Sequence, residues 1–488
     1  MQRSIYVLEG NGPLEVTGLR TPYDHPFFGQ IFLAAALGLI GYPDSLQPSA
    51  GSGVHSIEML YLVPRVLMGL LAVADTFLIY KIAEMRYRNN RTVALIAAIL
   101  FAVMPITWIL RRILLDNLLV PFLLSSILFS LYIRKPIQQI DRNNVNNNSN
   151  NKNNIIVISL SGIFLGLAIF TKIPAFTFIP LVAFLVFVNS NRNWKILGLW
   201  FIPVILIPAI WPIYSIAVNQ FDDWLYGIDF QSRKEGKPLA LAMEFFFVND
   251  PLLLLLGIAG LVFAAVKKDF FVLLWAIPFL IFLYIVSWVS YFHLAPIIPI
   301  ICLAAALPLG ELFIKIIKKK VTQLRLLEYA VIGSIVIFGF ASSWMLITTN
   351  VTRGYFELYS SIVTYMTGQN DAEDNNRFLL TGRYWTEAFV WIPRYIFDKD
   401  IQFIKDRDRD NIFEELADEN KRLIFLLDRS DRESMKDNRD ENLENLYDNT
   451  NPLVTVDDKA IKYDRSTYPY TNLNPNRDIG KVQVRTNF

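Results

Sequence analysis

The chain has 488 residues, of which 53% are hydrophobic and 14% are aromatic, and its formal net charge is only +2. Because the charge is nearly balanced, the chain has no overall positive field that would attract nucleic acid, and no nucleic-acid partner is expected. The single cysteine, Cys302, excludes an intrachain disulfide and a thiolate metal cluster, and three histidines argue against a multi-histidine metal site.

Residues 1–58 are predicted to form an outer segment. Their one apolar stretch, 27–40, is short for a membrane span, and Pro26 before it is well suited to begin a helix. We interpret this stretch as a helix that lies along the outer membrane surface.

Residues 59–349 are predicted to form a polytopic membrane domain. They contain ten apolar runs of roughly 20 residues, the length of helix that crosses the hydrocarbon core. The predicted spans are 59–81, 92–110, 114–133, 155–171, 174–189, 196–216, 250–266, 269–288, 294–316 and 327–348.

Positive charges occur in every second loop between these runs. The basic loops contain Arg86, Arg88 and Arg91, then Arg134, Lys135, Arg142 and Lys152, then Arg192 and Lys195, then Lys267 and Lys268, and finally Lys315 to Lys320 with Arg325. Loops rich in Lys and Arg face the cytoplasm. The loops around 44–58, 111–114, 217–249 and 289–293, and everything after Thr349, are therefore expected to face outward.

The joint between the second and third predicted spans carries Arg111, Arg112 and Asp116. Charges beside hydrocarbon are costly and persist mainly at helix ends, in wet cavities or in pairs. The arginines could simply cap a tight turn, and Asp116 could favour the first turn of its helix. Because Asp116 lies a turn inside an apolar helix, we favour a functional role for it.

Other polar residues are predicted on the same outer side. Asp24 and His25 precede the surface helix, Lys172 separates two apolar runs, and Arg233 belongs to the charged 217–249 loop. Each has a plain alternative: a helix-entry hydrogen bond for His25, a lysine that snorkels to the interface, or a solvated loop charge. Together they suit transfer from a lipid phosphate, since cations hold the phosphate and a carboxylate acts as general base.

Residues 350–488 are predicted to form an outward α/β domain. The segments RFLLTG, DIQFI, RLIFLLD, KAIKYD and GKVQVRT resemble short strands, and WTEAFVWIPRYI and NIFEELADEN resemble helices. The acid-rich stretch 428–448 is expected to be a mobile, solvated insert.

Three motifs resemble the family 39 membrane glycosyltransferases of the C-type superfamily, which include the protein O-mannosyltransferases and the aminoarabinose transferases. The segment DHPFFGQIFL is similar to their Asp-His-Pro segment, RRILLDNLL to their Arg-x-x-x-Leu-Leu-Asp stretch, and TKIP to their Thr-Lys-x-Pro segment. The motifs occur in the family's order within about the first 190 residues.

The resemblance implies inverting transfer of a sugar from a polyprenyl or dolichyl phosphate carrier on the outer membrane face. It places Asp116 at the second acidic position, where it binds the acceptor or supports the base. Asp24 and His25 would shape the outer cavity, and Lys172 with Arg111 or Arg112 would bind the lipid phosphate.

One departure from the family concerns the presumed general base. The family usually has a first spanning helix followed by an Asp-Glu pair, and the residues before His25 contain no such pair. We expect that the chain starts late and lacks this helix and motif. If the chain is complete, Asp24 is the best candidate for the base.

The sequence therefore predicts a polyprenyl-phosphate-sugar-dependent hexosyl or other glycosyltransferase of the cell membrane. Its partners would be a lipid carrier and a protein, lipid or glycan acceptor; metal dependence is left open. The alternatives are a transporter or flippase of a lipid-linked substrate and a non-catalytic membrane interaction protein.

Overall fold

The computed structural model describes most of the membrane domain and parts of the C-terminal domain. The described residues are 2–13, 23–41, 53–88, 90–133, 147–234, 238–286, 288–318, 322–348, 361–362, 364–366, 377–381, 401–404, 421–427, 441–456 and 482–486. The chain divides into two compact units. One contains Arg3–Ala36 and Pro64–Trp344, and the other contains Leu37–Val63 and Met345–Phe488.

The first unit is helical. Its helices are α1 (Gln2–Leu8), α2 (Phe28–Gly38), α3 (Gly53–Arg86), α4 (Arg91–Val103), α5 (Pro105–Leu110), α6 (Leu115–Tyr132), α7 (Asn147–Thr171), α8 (Ile179–Asn189), α9 (Trp194–Ala217), α10 (Phe221–Ser232), α11 (Leu239–Asn249), α12 (Pro251–Val266), α13 (Phe270–Ile285), α14 (Ile298–Lys318) and α15 (Thr322–Thr348). Four of them, α1, α2, α3 and α15, have residues in the second unit as well. Short 3-10 turns precede α8 (Ile173–Phe178) and α14 (Tyr291–Ile297).

The predicted helix 92–110 is broken in the structure at Met104. This residue is extended, with φ −69° and ψ 140°, and it separates α4 from α5. Pro105 follows it, and a residue before proline is disfavoured in the helical conformation. The break separates α5 from α4, and the joint follows the end of α5.

The predicted outward connection 217–249 contains two helices, α10 and α11, that the sequence did not indicate. The apolar helix α11 meets α12 at an angle of 117°, with Asp250 between them. Asp250 caps α12 by accepting from Leu253 N and also accepts from Ile106 N at the start of α5. One buried carboxylate therefore fixes both the bend and α5.

Five helical segments of the described residues are long and apolar enough to cross a membrane, and six if the bent pair α11–α12 is one span. The five are Leu62–Arg86, Leu115–Tyr132, Asn154–Thr171, Trp194–Ala217 and Tyr291–Leu312. Shorter apolar helices correspond to other predicted runs, at Arg91–Val103, Ile173–Asn189, Phe270–Ile285 and Ala330–Trp344. A polytopic helical fold is thus present, while the number of ten spans stays a prediction.

The basic ends of the helices form contacts with one another. Arg86 forms an ion pair with Asp269 at 3.0 Å, Tyr87 donates to the same carboxylate at 2.6 Å, and Lys267 pairs with Glu311 at 3.4 Å. Burial and the neighbouring carboxylate raise the pKa of Tyr87. The end of α3, the α12–α13 connection and Glu311 of α14 therefore lie together.

The second unit contains a five-stranded sheet. Its strands are β1 (Arg377–Thr381), β2 (Ile401–Ile404), β3 (Lys421–Leu427), β4 (Asn451–Val456) and β5 (Val482–Thr486), in the order β2-β1-β3-β5-β4. The β2, β1 and β3 strands are parallel, and β5 is antiparallel to both β3 and β4.

Four of the five predicted strands are confirmed, and the segment KAIKYD and both predicted helices lie outside the described residues. The strand β4 was not predicted. The expectation of a solvated insert is wrong for its end, where α16 (Glu441–Asp448) forms. Leu443 and Leu446, three residues apart on one helical face, are buried against Leu423 and Phe425 of β3.

Candidate active site

Asp116 and Lys172 form a buried ion pair where one helix begins and another ends. Asp116 is in the first turn of α6, and Lys172 follows α7 in an extended conformation. Lys172 Nζ lies 2.5 Å from Asp116 Oδ2, and the two side chains are only 5% and 4% exposed. Two charges leave water at such a cost that only close contact compensates for it. Lys172 is therefore not a lone snorkelling lysine.

The two arginines of the joint turn in different directions. Arg112 Nη1 donates to the Tyr291 hydroxyl at 2.8 Å, and its guanidinium lies over the same ring. Arg111 Nη2 donates to the Phe101 carbonyl at 3.1 Å, and its guanidinium lies 4.7 Å from the ring centre of Trp108. The structure thus brings Arg112, rather than Arg111, to the turn that contains Tyr291.

Asn117 holds the joint closed. Its amide nitrogen donates to the Leu110 carbonyl at 2.5 Å and to the Arg112 carbonyl at 2.6 Å. Leu110 ends α5, and the two carbonyls also accept from the backbone amides of Arg112 and Leu114. The conformation of the joint is therefore set by the residue that follows Asp116.

An aromatic turn, residues Trp288–His293, contacts three cations. Arg112 lies on Tyr291 as described, Lys172 Nζ lies 5.3 Å from the ring centre of Phe292, and Lys234 Nζ lies 5.1 Å from that of Trp288. Such cation–π contacts are attractive and partly shield the charges. His293 closes the turn by accepting from Ser290 N at 3.0 Å, in agreement with a structural role.

Asp24 and His25 lie beside these cations. Asp24 forms an ion pair with Arg3 of α1 at 2.8 Å. Burial lowers the pKa of His25 to about 4; the carboxylate of Asp24 opposes this, and the charges of Lys172, Arg3 and Lys234 add to it. The imidazole is therefore neutral at physiological pH.

Two glycines allow the segment Tyr23–Gly29 to pack closely on the helix ends. A Cβ atom on Gly29 would lie 2.5 Å from Leu115 Cδ2, and one on Gly227 of α10 would lie 2.5 Å from the Tyr23 carbonyl oxygen. Tyr23 also donates to Gln220 at 2.9 Å. The segment is thus fixed between the start of α6 and the start of α10.

Arg233 lies at the exposed end of α10. Its Nε atom is 2.8 Å from Asp229 Oδ1, and its side chain is 78% exposed. The next residue, Lys234, contacts the aromatic turn and acts on His25. The side chain from this region that the structure brings to the site is therefore that of Lys234.

The sequence interpretation missed Arg3, Asn117 and the cation contacts of the aromatic turn. No local sequence pattern indicates a role for Arg3, because it joins the site through an ion pair with Asp24, 21 positions away. The aromatic residues of SWVSYFH offered a signal, because clustered rings beside a short turn suit cation–π contacts. Within the residues that the structure describes, no three His, Cys, Asp or Glu side chains group as metal ligands would.

A family comparison matches the part of the chain that contains most of this site. Residues 18–227 match the model of the family described as dolichyl-phosphate-mannose-protein mannosyltransferase. The match includes Asp24, His25, Arg112, Asp116 and Lys172. Direct comparison with curated protein sequences gives no match.

The fold is similar to those of solved membrane enzymes. ArnT from Cupriavidus metallidurans, solved with undecaprenyl phosphate, is 12% identical, with a TM-score of 0.56 over 99% of this chain and 92% of that one. The apo oligosaccharyltransferase from Archaeoglobus fulgidus is 14% identical, with a TM-score of 0.51 over 88% of this chain and 65% of that one. The chain spans 59–65% of the length of the archaeal structures that it matches.

The fold is that of the solved membrane proteins compared above. The resemblance to the C-type membrane glycosyltransferases, found in three short motifs, is confirmed by the family match and by the fold. The match over residues 18–227 and the shared fold are the two features that the chain has in common with these proteins.

Proposed function

We propose that this protein transfers a hexosyl group from a polyprenyl or dolichyl phosphate to an acceptor at the non-cytoplasmic membrane surface. The single observation that carries the proposal is the buried Asp116–Lys172 pair, which lies among further cations at the helix ends opposite the basic loops. The relatives agree with it: one is named for dolichyl-phosphate-mannose and another was solved with undecaprenyl phosphate. The C-terminal sheet is proposed to lie on the same outer side.

The charges around the site suit a phosphate. Four cations surround it, and two carboxylates accompany them: Arg3, Arg112, Lys172 and Lys234, with Asp24 and Asp116. With His25 neutral, this set has a net charge of +2. We assign phosphate binding to Lys172, Arg112, Lys234 and the imidazole of His25, because arginine and lysine donate charge-assisted hydrogen bonds to phosphate oxygens. Arg111 and Arg233 were also predicted for this role, but the contacts described above favour Lys234 over them.

The proposed reaction is an inverting displacement. An acceptor hydroxyl attacks the anomeric carbon, the bond from that carbon to the phosphate oxygen breaks, and the lipid phosphate leaves with the electron pair. The hydroxyl proton passes to a carboxylate acting as general base. We assign this role to Asp24, which is less buried than Asp116 and whose ion-pair partner is Arg3 rather than Lys172. Asp116 holds Lys172 in place and supports the acceptor.

The acceptor is proposed to be a protein, lipid or glycan hydroxyl. The aromatic side chains beside the site suit stacking on a sugar or on an apolar side chain. No metal is assigned a role in this reaction.

Membranes that contain the full chain should transfer label from a radiolabelled polyprenyl-phosphate hexose to an endogenous acceptor. Asp116→Asn should abolish this transfer, and the matched surface variant Asp229→Asn should keep it. Asp24→Asn should lower kcat more than it raises the donor KM, since a general base acts in the transition state. Movement of the intact labelled lipid across the bilayer without transfer would instead support the flippase alternative and overturn the proposal.

A further inference from the structure

A small, partly open polar cavity lies next to the candidate site. Its walls come from α3, α4, α5, α6 and the residues just before and at the start of α14, and its polar lining consists of Asp75, Thr107, Arg111 and Asn117. Adjacent residues divide between the two places: Arg111 and Asn117 line the cavity, while Arg112 and Asp116 take part in the site. The cavity and the site therefore share the joint but not their side chains.

Two of the polar groups in this cavity have an unused hydrogen-bonding atom. Asp75 is 5% exposed, and neither its Oδ1 atom nor Arg111 Nε has a hydrogen-bond partner among the residues that the structure describes. The two charges are near enough to interact, yet they do not form a direct ion pair within 4.0 Å. A buried acceptor and a buried donor thus belong to two residues that line the same cavity.

The other polar lining groups are already engaged. The Thr107 hydroxyl donates to the Met104 carbonyl, and the Asn117 amide donates to the carbonyls of the joint. Buried polar groups are nearly always satisfied in native proteins, and a buried unpaired carboxylate is especially costly. The pair therefore calls for a ligand that offers both a donor and an acceptor.

We propose that Asp75 and Arg111 form a hydroxyl-binding site, in which one hydroxyl group donates to Asp75 Oδ1 and accepts from Arg111 Nε. A hydroxyl is the smallest group that does both. The hydroxyl belongs either to water or to the sugar of the lipid-linked donor. The second source rests on the proposed function, and the first does not.

The decisive measurement is a high-resolution cryo-electron microscopy map of the full chain in lipid nanodiscs, with and without a polyprenyl-phosphate hexose. The expected result is ordered density within about 2.7–3.2 Å of both atoms. Density present without the donor identifies water, and density that appears or extends with the donor identifies a sugar hydroxyl. A dry cavity, or an Asp75–Arg111 ion pair in direct contact, overturns the proposal.

Kinetics separate the two sources independently. If the hydroxyl belongs to the sugar, Asp75→Asn should raise the donor KM about tenfold or more, as expected for loss of a hydrogen bond to a charged group. If it belongs to water, the KM should not change. The matched control is Thr76→Val, the next residue of α3, whose hydroxyl bonds to the Ala72 carbonyl of its own helix.

The site and the proposed function fail in different ways. If the wild-type chain transfers no sugar, the proposed function is wrong, and the map still decides whether the hydroxyl site exists. If Asp75→Asn does not fold, the map of the wild-type chain, which needs no variant, still decides the proposal.

Discussion

At the scale of single residues, the buried Asp116–Lys172 pair explains why two charges persist beside apolar helices. Each charge replaces part of the hydration that the other loses on burial. The two side chains are in contact at 2.5 Å and are 5% and 4% exposed. Such a pair costs desolvation and gives little net stability compared with an apolar pair. Stability alone therefore does not explain the pair, in agreement with the proposed role in sugar transfer.

This explanation predicts different effects for single and double substitutions. Asp116→Asn should lower the free energy of unfolding by about 3–5 kcal/mol, because it leaves the Lys172 ammonium buried without a counter-charge. Asp116→Asn with Lys172→Met should recover most of that loss but no transfer activity. Thermal unfolding in detergent and the labelled-donor assay measure the two quantities. Asp229→Asn, at an exposed pair, should stay within about 0.5 kcal/mol of wild type.

The result that would contradict this is a double variant that transfers sugar at the wild-type rate. The pair would then be only structural, and the proposed reaction would need another set of residues. A double variant that is no more stable than Asp116→Asn would show that Lys172 has a further partner in the folded protein.

The lowered pKa of His25 predicts that the free energy of unfolding depends on pH. Its pKa of about 4 in the folded protein lies below the ordinary value of 6.5, chiefly because of burial. As the pH falls below about 6.5, the unfolded chain binds the proton first, so stability should decrease progressively down to about pH 4. Subtracting the curve of His25→Gln from that of wild type isolates this contribution. A difference that does not vary with pH between 6.5 and 4 would refute the assignment.

At the scale of elements, the close approach of α10 to Tyr23 is a feature that a sequence pattern does not show. The helix lies in a segment predicted as a loop, and its Gly227 leaves no room for a methyl group against the Tyr23 carbonyl. Because Asp24 and His25 follow Tyr23 directly, this contact positions them.

Gly227→Ala should therefore displace the Tyr23–Gly29 segment and reduce transfer activity several-fold, although alanine is the better helix former. The matched control is Gly198→Ala in α9, where a new Cβ atom meets nothing within 4 Å and the helix should be slightly more stable. Activity assays and thermal unfolding of both variants test this. Equal activity in the two variants would mean that α10 does not position the segment.

At the scale of the whole molecule, the two ends of α9 should lie on opposite sides of the membrane. Lys195 and Asp222 are exposed and lie just inside and just beyond this helix. Because the only native cysteine, Cys302, is buried, a Cys302→Ala background is suitable for thiol labelling. In intact cells a membrane-impermeant thiol reagent should modify Asp222→Cys but not Lys195→Cys. The reverse pattern would invert the proposed topology and place the site on the cytoplasmic side.

Much of the membrane domain was predictable from the sequence, because apolar length and the positions of basic residues are local properties. The start of α6 at Leu115 and the end of α7 at Thr171 agree closely with the predicted spans 114–133 and 155–171. The break at Met104 was missed, although Pro105 signals it. The helices α10 and α11 were missed because their segment mixes charged and apolar residues, and α16 because its acidic composition hid two buried leucines.

The sequence by itself determined that the chain has a polytopic membrane fold, since the bilayer requires long apolar helices. The three motifs also gave the order of Asp24, Asp116 and Lys172 along the chain. Only the tertiary structure decided which charges meet: Asp116 with Lys172, Asp24 with Arg3, and Lys234 in place of Arg233 beside the aromatic turn. The physical reason is that a charge beside lipid must find a partner, and which partner is within reach depends on how helices distant in sequence pack.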